Sequence, residues 1–126
     1  LQLPGETWVI TCHDDPAKQL RLRDAGCRVW QVGRRMGRVD LSEAFKLLAQ
    51  QQINTVWIEA GAALNGALLD TGLVDEWLLY VAPCALGDQA RGLFHFSQLQ
   101  SMAAKKPFKF NAVRQVGPDL RLTLSR

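Results

Sequence analysis

The residues best placed to do chemistry lie between Asn54 and Gly87, in NTVWIEAGAALNGALLDTGLVDEWLLYVAPCALG. A short apolar run, Val56-Trp57-Ile58, leads into an acid, Glu59, and a glycine, Gly61. A carboxylate at the end of a strand accepts hydrogen bonds from a polar ligand, or it is a solvated strand end that caps the following helix. A glycine ahead of small residues lets an anionic group approach backbone N–H groups at a helix start, or it makes a tight turn for close packing. Local pattern leaves the two readings of Glu59 open and prefers the tight turn for Gly61 to Ala67. The GAALNGA segment is not GxGxxG, and Ala67 stands where a Walker A loop requires Lys.

The other candidates are weaker. Asp75-Glu76 has the composition of an acid/base pair, but it also fits a capped, solvated turn, which is the preferred reading. His13 and His95 have no acid or cysteine at ligand spacing. Arg34, Arg35 and Arg38 follow a strand and could meet a phosphate, although a solvated basic loop is the preferred reading. No catalytic group is assigned and no metal site is expected.

The elements that must position these residues follow from periodicity and caps. Thr7 to Cys12 reads as a strand. Asp14-Asp15-Pro16 starts a helix that stops at Gly26. Cys27 to Val32 reads as a second strand and Gly33 to Val39 as a basic loop. Asp40-Leu41-Ser42-Glu43 has capping-box form, and Leu41, Ala44, Phe45 and Leu48 share one helical face. Ile53 to Ile58 reads as a third strand, Ala62 to Asp70 as a helix closed by Gly72, and Glu76 to Ala82 as a central fourth strand. All four tryptophans fall in expected strands. Ser97 to Ala104 reads as a short helix. Phe108 to Val116 and Leu120 to Leu124 form an antiparallel hairpin around Gly117-Pro118-Asp119. The alternation predicts an α/β fold with a mostly parallel sheet. A helix-turn-helix over Leu41 to Gly61 is rejected, because its second half is β-branched and aromatic.

Composition narrows the function classes. A chain of 126 residues with 48% hydrophobic content fits one ordinary domain. A net charge of +3, with scattered basic residues, suits a small anionic ligand and lacks the dense basic run of a nucleic-acid binder. Three widely spaced cysteines, without CxxC, indicate neither a zinc framework nor a disulfide scaffold, and favour a cytoplasmic setting. No stretch approaches membrane-spanning length.

Taken together, Glu59-x-Gly61, Leu64, Gly72-Leu73-Val74-Asp75-Glu76, Ala82-Pro83 and Leu86-Gly87 resemble the reductase domain of the bifunctional riboflavin biosynthesis deaminase-reductases. The tail resembles it too, in Gly92-Leu93, Phe108-Lys109-Phe110 and Val116-Gly117-Pro118-Asp119. The resemblance implies a dihydrofolate reductase-like mixed sheet flanked by helices, with an antiparallel C-terminal hairpin. It implies NADPH-dependent reduction of 5-amino-6-(5-phosphoribosylamino)uracil to its ribitylamino product, by a homodimer. The residue matching Glu59 contacts the substrate, and Gly61, Ala62, Ala63, Leu64, Asn65, Gly66 and Ala67 lie along the cofactor. Full members also carry an earlier reductase stretch, with a strand Lys and a Ser-x-Asp-Gly segment, and a zinc deaminase domain. Residues 1–126 match neither. The chain is therefore expected to be the C-terminal part of the reductase domain, inactive alone. The rival expectations are a non-catalytic dimerisation module and a generic nucleotide-binding domain.

Overall fold

A computed structural model describes residues 5–95 and 100–126. The chain divides into two compact units, Leu1–Trp57 and Ile58–Arg126.

The first unit opens with β1 (Thr7–Thr11), α1 (Pro16–Asp24) and β2 (Cys27–Gln31). The two strands pair in parallel, with Thr7 opposite Cys27 and Thr11 opposite Gln31, as a βαβ crossover requires. Trp8 and Trp30 stack at 5.6 Å between ring centroids on that pair. Arg28 lies 5.8 Å over the Trp8 ring and pairs with Glu6 at 2.9 Å. The α1 helix starts where Asp15 and Pro16 predict: the Asp15 side chain accepts from Lys18 N–H at 2.9 Å. It buries no residue.

The expected basic loop is a miniature hairpin, β3 (Arg34–Arg35) paired antiparallel with β4 (Arg38–Val39). Met36 and Gly37 turn it with φ of 51° and 78°, the doubly left-handed turn that matches strand twist. The α2 helix (Leu41–Gln50) follows, with Ala44 buried and Leu41, Phe45 and Leu48 half-buried on the expected face. Asp40 accepts from Ser42 and Glu43 N–H. The reciprocal half of the expected capping box is replaced. Glu43 reaches back to accept from Gly33 N–H, while Asp40 N–H donates to the Gly33 carbonyl at 2.9 Å.

No strand forms over 53–58, contrary to expectation. Ile53 N–H donates to the Leu48 carbonyl at 3.1 Å and so closes α2. Strand-forming side chains do not make a strand without a ladder partner. Among the described residues no strand ladder includes this run, and Trp57 is 71% exposed.

In the second unit α3 (Ala62–Thr71) leads to β5 (Trp77–Val81), then β6 (Lys109–Val116) and β7 (Asp119–Ser125). Their order is β5-β7-β6, antiparallel throughout. This corrects the placing of the fourth strand at a sheet centre: β5 is an edge here, and β7 lies between its neighbours. The run from Trp77 to Val81 is apolar, but only Trp77 is buried, while Tyr80 and Val81 are exposed. Leu68, Leu69, Trp77, Thr123 and Leu124 are the buried residues around which this unit packs, with Phe94 and Phe108 edge-on to the Trp77 ring at 5.2 and 6.3 Å. The described part of the expected Ser97 to Ala104 helix is a single 3-10 turn, Met102–Ala104; positions 97–99 lie outside the described residues.

Candidate functional site

The sequence places Glu59 and Gly61 to Ala67 as one site, and the structure keeps them contiguous at the entry to α3. Gly61 is the N-cap residue, with φ −81° and ψ 171°. The first helical bond runs from Asn65 N–H to the Gly61 carbonyl at 3.0 Å. The N–H groups of Ala62, Ala63 and Leu64 therefore have no partner within the helix. The cap residue, a glycine, has no side chain to offer them, and the first turn carries no acid. A Cβ built on Gly61 meets nothing within 4 Å. The helix start is thus neutral, small and open in front of Gly61, and its partial positive charge favours an anion. Glu59 is exposed two residues before it.

The rear of the same turn is closed. Asn65 donates from Nδ2 to the carbonyls of Ala60 at 3.2 Å and Leu93 at 3.3 Å. His95 N–H donates to the Ala62 carbonyl at 2.8 Å. Gly66 is buried against His95, and a Cβ there would collide with the His95 carbonyl. Gly66 is glycine for packing. Within GAALNGA the exposed residues Gly61, Ala63 and Leu64 face outward, while Asn65 and Gly66 join α3 to the 93–95 segment. Sequence reasoning missed that segment as part of the site, because backbone carbonyls and N–H groups have no side-chain signature.

The far end of α3 is fixed as well. Gly72 adopts the left-handed conformation, φ 69°, and its N–H donates to the Leu68 carbonyl at 3.2 Å. Arg126 Nη1 donates to the Leu69 carbonyl at 3.1 Å, placing a cation at the helix C-terminus. Lys106 pairs with Asp70 at 3.2 Å. Hairpin and helix are thereby tied into one frame behind the open turn.

Asp75 and Glu76 are exposed in the bend between α3 and β5. In the first unit Arg34 Nη2 lies 3.0 Å from His13 Nδ1, so this histidine is engaged by the basic hairpin. A shallow depression in that unit is lined by Arg23, Cys27, Arg28, Val29 and Trp30, none of them a candidate. All three cysteines are free, and no group of three or more metal-binding side chains comes together among the described residues. No helix of the described residues is long and apolar enough to cross a membrane.

Known proteins place this chain in a family. Residues 2–122 match the model of the RibD C-terminal domain. The riboflavin biosynthesis protein RibD of Escherichia coli is 42% identical over 124 residues, which is 98% of this chain and 33% of that protein. A Buchnera aphidicola protein named 5-amino-6-(5-phosphoribosylamino)uracil reductase is 41% identical over 70% of this chain and 42% of its own. A solved structure of Acinetobacter baumannii RibD superposes with a TM-score of 0.74 at 33% identity, over 94% of this chain and 30% of that one. The chain thus spans about a third of the RibD proteins it matches. Its fold class is the expected one, a dihydrofolate reductase-like α/β fold with mixed strands and an antiparallel C-terminal hairpin. The match extends over nearly all of the sequence, and the chain belongs to the RibD C-terminal domain family.

Proposed function

We propose that this chain is the C-terminal part of a reductase domain that converts 5-amino-6-(5-phosphoribosylamino)uracil to its ribitylamino product in riboflavin biosynthesis, with NADPH as reductant. The observation that carries the reading is the glycine-started, acid-free first turn of α3, with Gly61 open in front and Glu59 two residues away. Family membership and a relative named for this reaction support it.

The residues fit a dinucleotide. A pyrophosphate can approach Gly61 without meeting a Cβ and accept from the N–H groups of Ala62, Ala63 and Leu64. Leu64, 42% exposed, offers an apolar wall beside them. Gly61 to Ala67 would line the cofactor, the exposed first turn by contact and Asn65 and Gly66 by shaping it. When bound, NADPH supplies the hydride that reduces C1′ of the sugar as its ring-opened imine. Glu59 accepts hydrogen bonds from the pyrimidine and fixes its orientation. The chain by itself is proposed to lack turnover, as it spans only about a third of its RibD relatives. Its setting is proposed to be cytoplasmic, which suits three free thiols.

A non-catalytic dimerisation module is the second reading. It is favoured by exposed apolar residues on the β5-β7-β6 sheet: Tyr80 59%, Val81 48%, Phe110 63%, Val113 56% and Leu120 44%. A homodimer is compatible with both readings, so dimerisation does not separate them. Glu59→Gln in a full-length protein bearing this chain does. The first reading expects a KM for the pyrimidine about tenfold or more higher, as when a charge-assisted hydrogen bond is weakened, with the KM for NADPH unchanged. Unchanged pyrimidine kinetics, or turnover by residues 1–126 alone, would reject the corresponding part of the proposal.

A further inference from the structure

Asn65 lies inside the stretch proposed to line the cofactor, yet its amide is engaged within the protein. Nδ2 carries two hydrogens, and the two acceptors within reach, the carbonyls of Ala60 and Leu93, match them. The amide oxygen cannot serve either carbonyl, so the chemistry of the acceptors fixes the orientation of the group. The Ala60 carbonyl belongs to the peptide whose other end is the Gly61 N–H. Peptide planarity means that holding one end sets the direction of the other. The Leu93 carbonyl begins the 93–95 strap, whose far end donates from His95 N–H to Ala62 at 2.8 Å. One side chain therefore joins the Glu59–Gly61 turn, the first turn of α3 and the strap.

We infer that Asn65 is a positioning residue. It orders the Gly61 peptide and the N–H groups of Ala62 to Leu64 before ligand arrives, without itself touching the dinucleotide. The inference rests on reading that turn as an NADPH site. Ordering the turn in advance strengthens binding by removing an entropic cost that would otherwise fall on association. It also explains how a helix start without a side-chain cap keeps one geometry.

The test compares wild type with Asn65→Ala and the isosteric Asn65→Asp, each as the full 126-residue chain. Amide hydrogen exchange is measured without ligand, and NADPH affinity by calorimetric titration. In both variants the hydrogen-bonded amides of residue 65 and His95, which close on the Gly61 and Ala62 carbonyls, are expected to exchange about five- to thirtyfold faster after correction for intrinsic rates, the equivalent of one or two lost hydrogen bonds. NADPH is expected to bind more weakly by a similar factor. Alanine is the better helix former, so a mere propensity effect would slow exchange instead. Unchanged exchange overturns the inference, as does faster exchange with NADPH affinity intact. If wild type binds no NADPH, the functional reading fails, while faster exchange in the variants still supports Asn65 as the clamp of this turn. Should both variants fail to fold, the side-chain amide resonances of wild-type Asn65 decide. Protection from exchange and insensitivity to added NADPH support the clamp. Rapid exchange, or a large shift on NADPH addition, overturns it.

Discussion

The first turns of α2 and α3 solve the same problem in opposite ways. Every helix begins with N–H groups that the helix cannot satisfy. In α2 an acid answers them: Asp40 accepts from Ser42 and Glu43, and α1 does likewise with Asp15. In α3 the residue at the cap is a glycine, without a side chain to answer them and with open space before it. The turn is stabilised from behind, by Asn65, Gly66 and the 93–95 strap. An Asp-capped start is self-sufficient and excludes anions by charge. A start braced only from the rear stays in place with its donors facing outward, as a binding site requires. On the proposed reading the contrast separates a binding helix, α3, from a structural one, α2, although both helices have ten residues and neither carries a basic residue in its last turn.

The largest effect is expected from removing the brace. Gly66→Ala puts a methyl group into the His95 carbonyl, a backbone atom that cannot swing aside. Alanine gains about 1 kcal/mol of helix propensity over glycine, but forcing an atom into a packed contact costs about 1–3 kcal/mol and occasionally more. The clash should win, with net destabilisation of the second unit by up to about 2 kcal/mol and loss of protection at His95, read by denaturant titration and hydrogen exchange. A neutral result would mean that the strap does not hold α3. Next in size is Asp40→Ala, which leaves two first-turn N–H groups of α2 without their acceptor and should cost about 1 kcal/mol. That loss belongs to the first unit. NADPH affinity measured on the same variant is expected to stay at the wild-type value, and a fall would blur the distinction between the two helix starts.

How far the sequence predicts these features depends on where their causes lie. Asp15-Pro16, Asp40 and Gly72 act through their own neighbours, so α1, α2 and the end of α3 are legible within a residue or two. The β6–β7 hairpin is legible for the same reason, from alternation around Gly117-Pro118-Asp119. Ile53 to Ile58 has strand composition, but a strand exists only with a partner, and composition is silent about partners. Trp77 to Val81 reads as central because it is apolar, whereas its place is decided by β7, whose paired residues lie 39 to 47 positions later in sequence. The front of the proposed site, Glu59 and Gly61, is a pattern of residue types and so has a signal in the sequence. The back, Leu93 to His95, acts through backbone atoms and has none. The contacts of Asn65 and Gly66 lie 28 and 29 residues away in sequence, at Leu93 and His95, so their part in holding the turn has no local signal.

The sharpest test of the contrast changes least in stability. Gly61→Asp gives α3 the kind of cap that α2 already has. Gly61 has β-region φ and ψ that any residue adopts, and nothing lies within 4 Å of its Cβ position, so the new side chain enters without strain. An aspartate there can accept from the first-turn N–H groups and complement the helix dipole, for a gain of only a few tenths of a kcal/mol over glycine. The same carboxylate occupies the place proposed for the dinucleotide phosphates and repels them. Stability should therefore rise slightly while NADPH affinity falls by about tenfold or more, the usual cost of a like charge placed against a ligand anion. Gly61→Ala separates the two causes: it adds bulk without charge or cap, so its melting temperature should be near wild type and any loss of affinity measures close approach alone. If Gly61→Asp binds NADPH as tightly as wild type, the open start of α3 is a packing solution and not a binding one, and the difference between α2 and α3 concerns folding only.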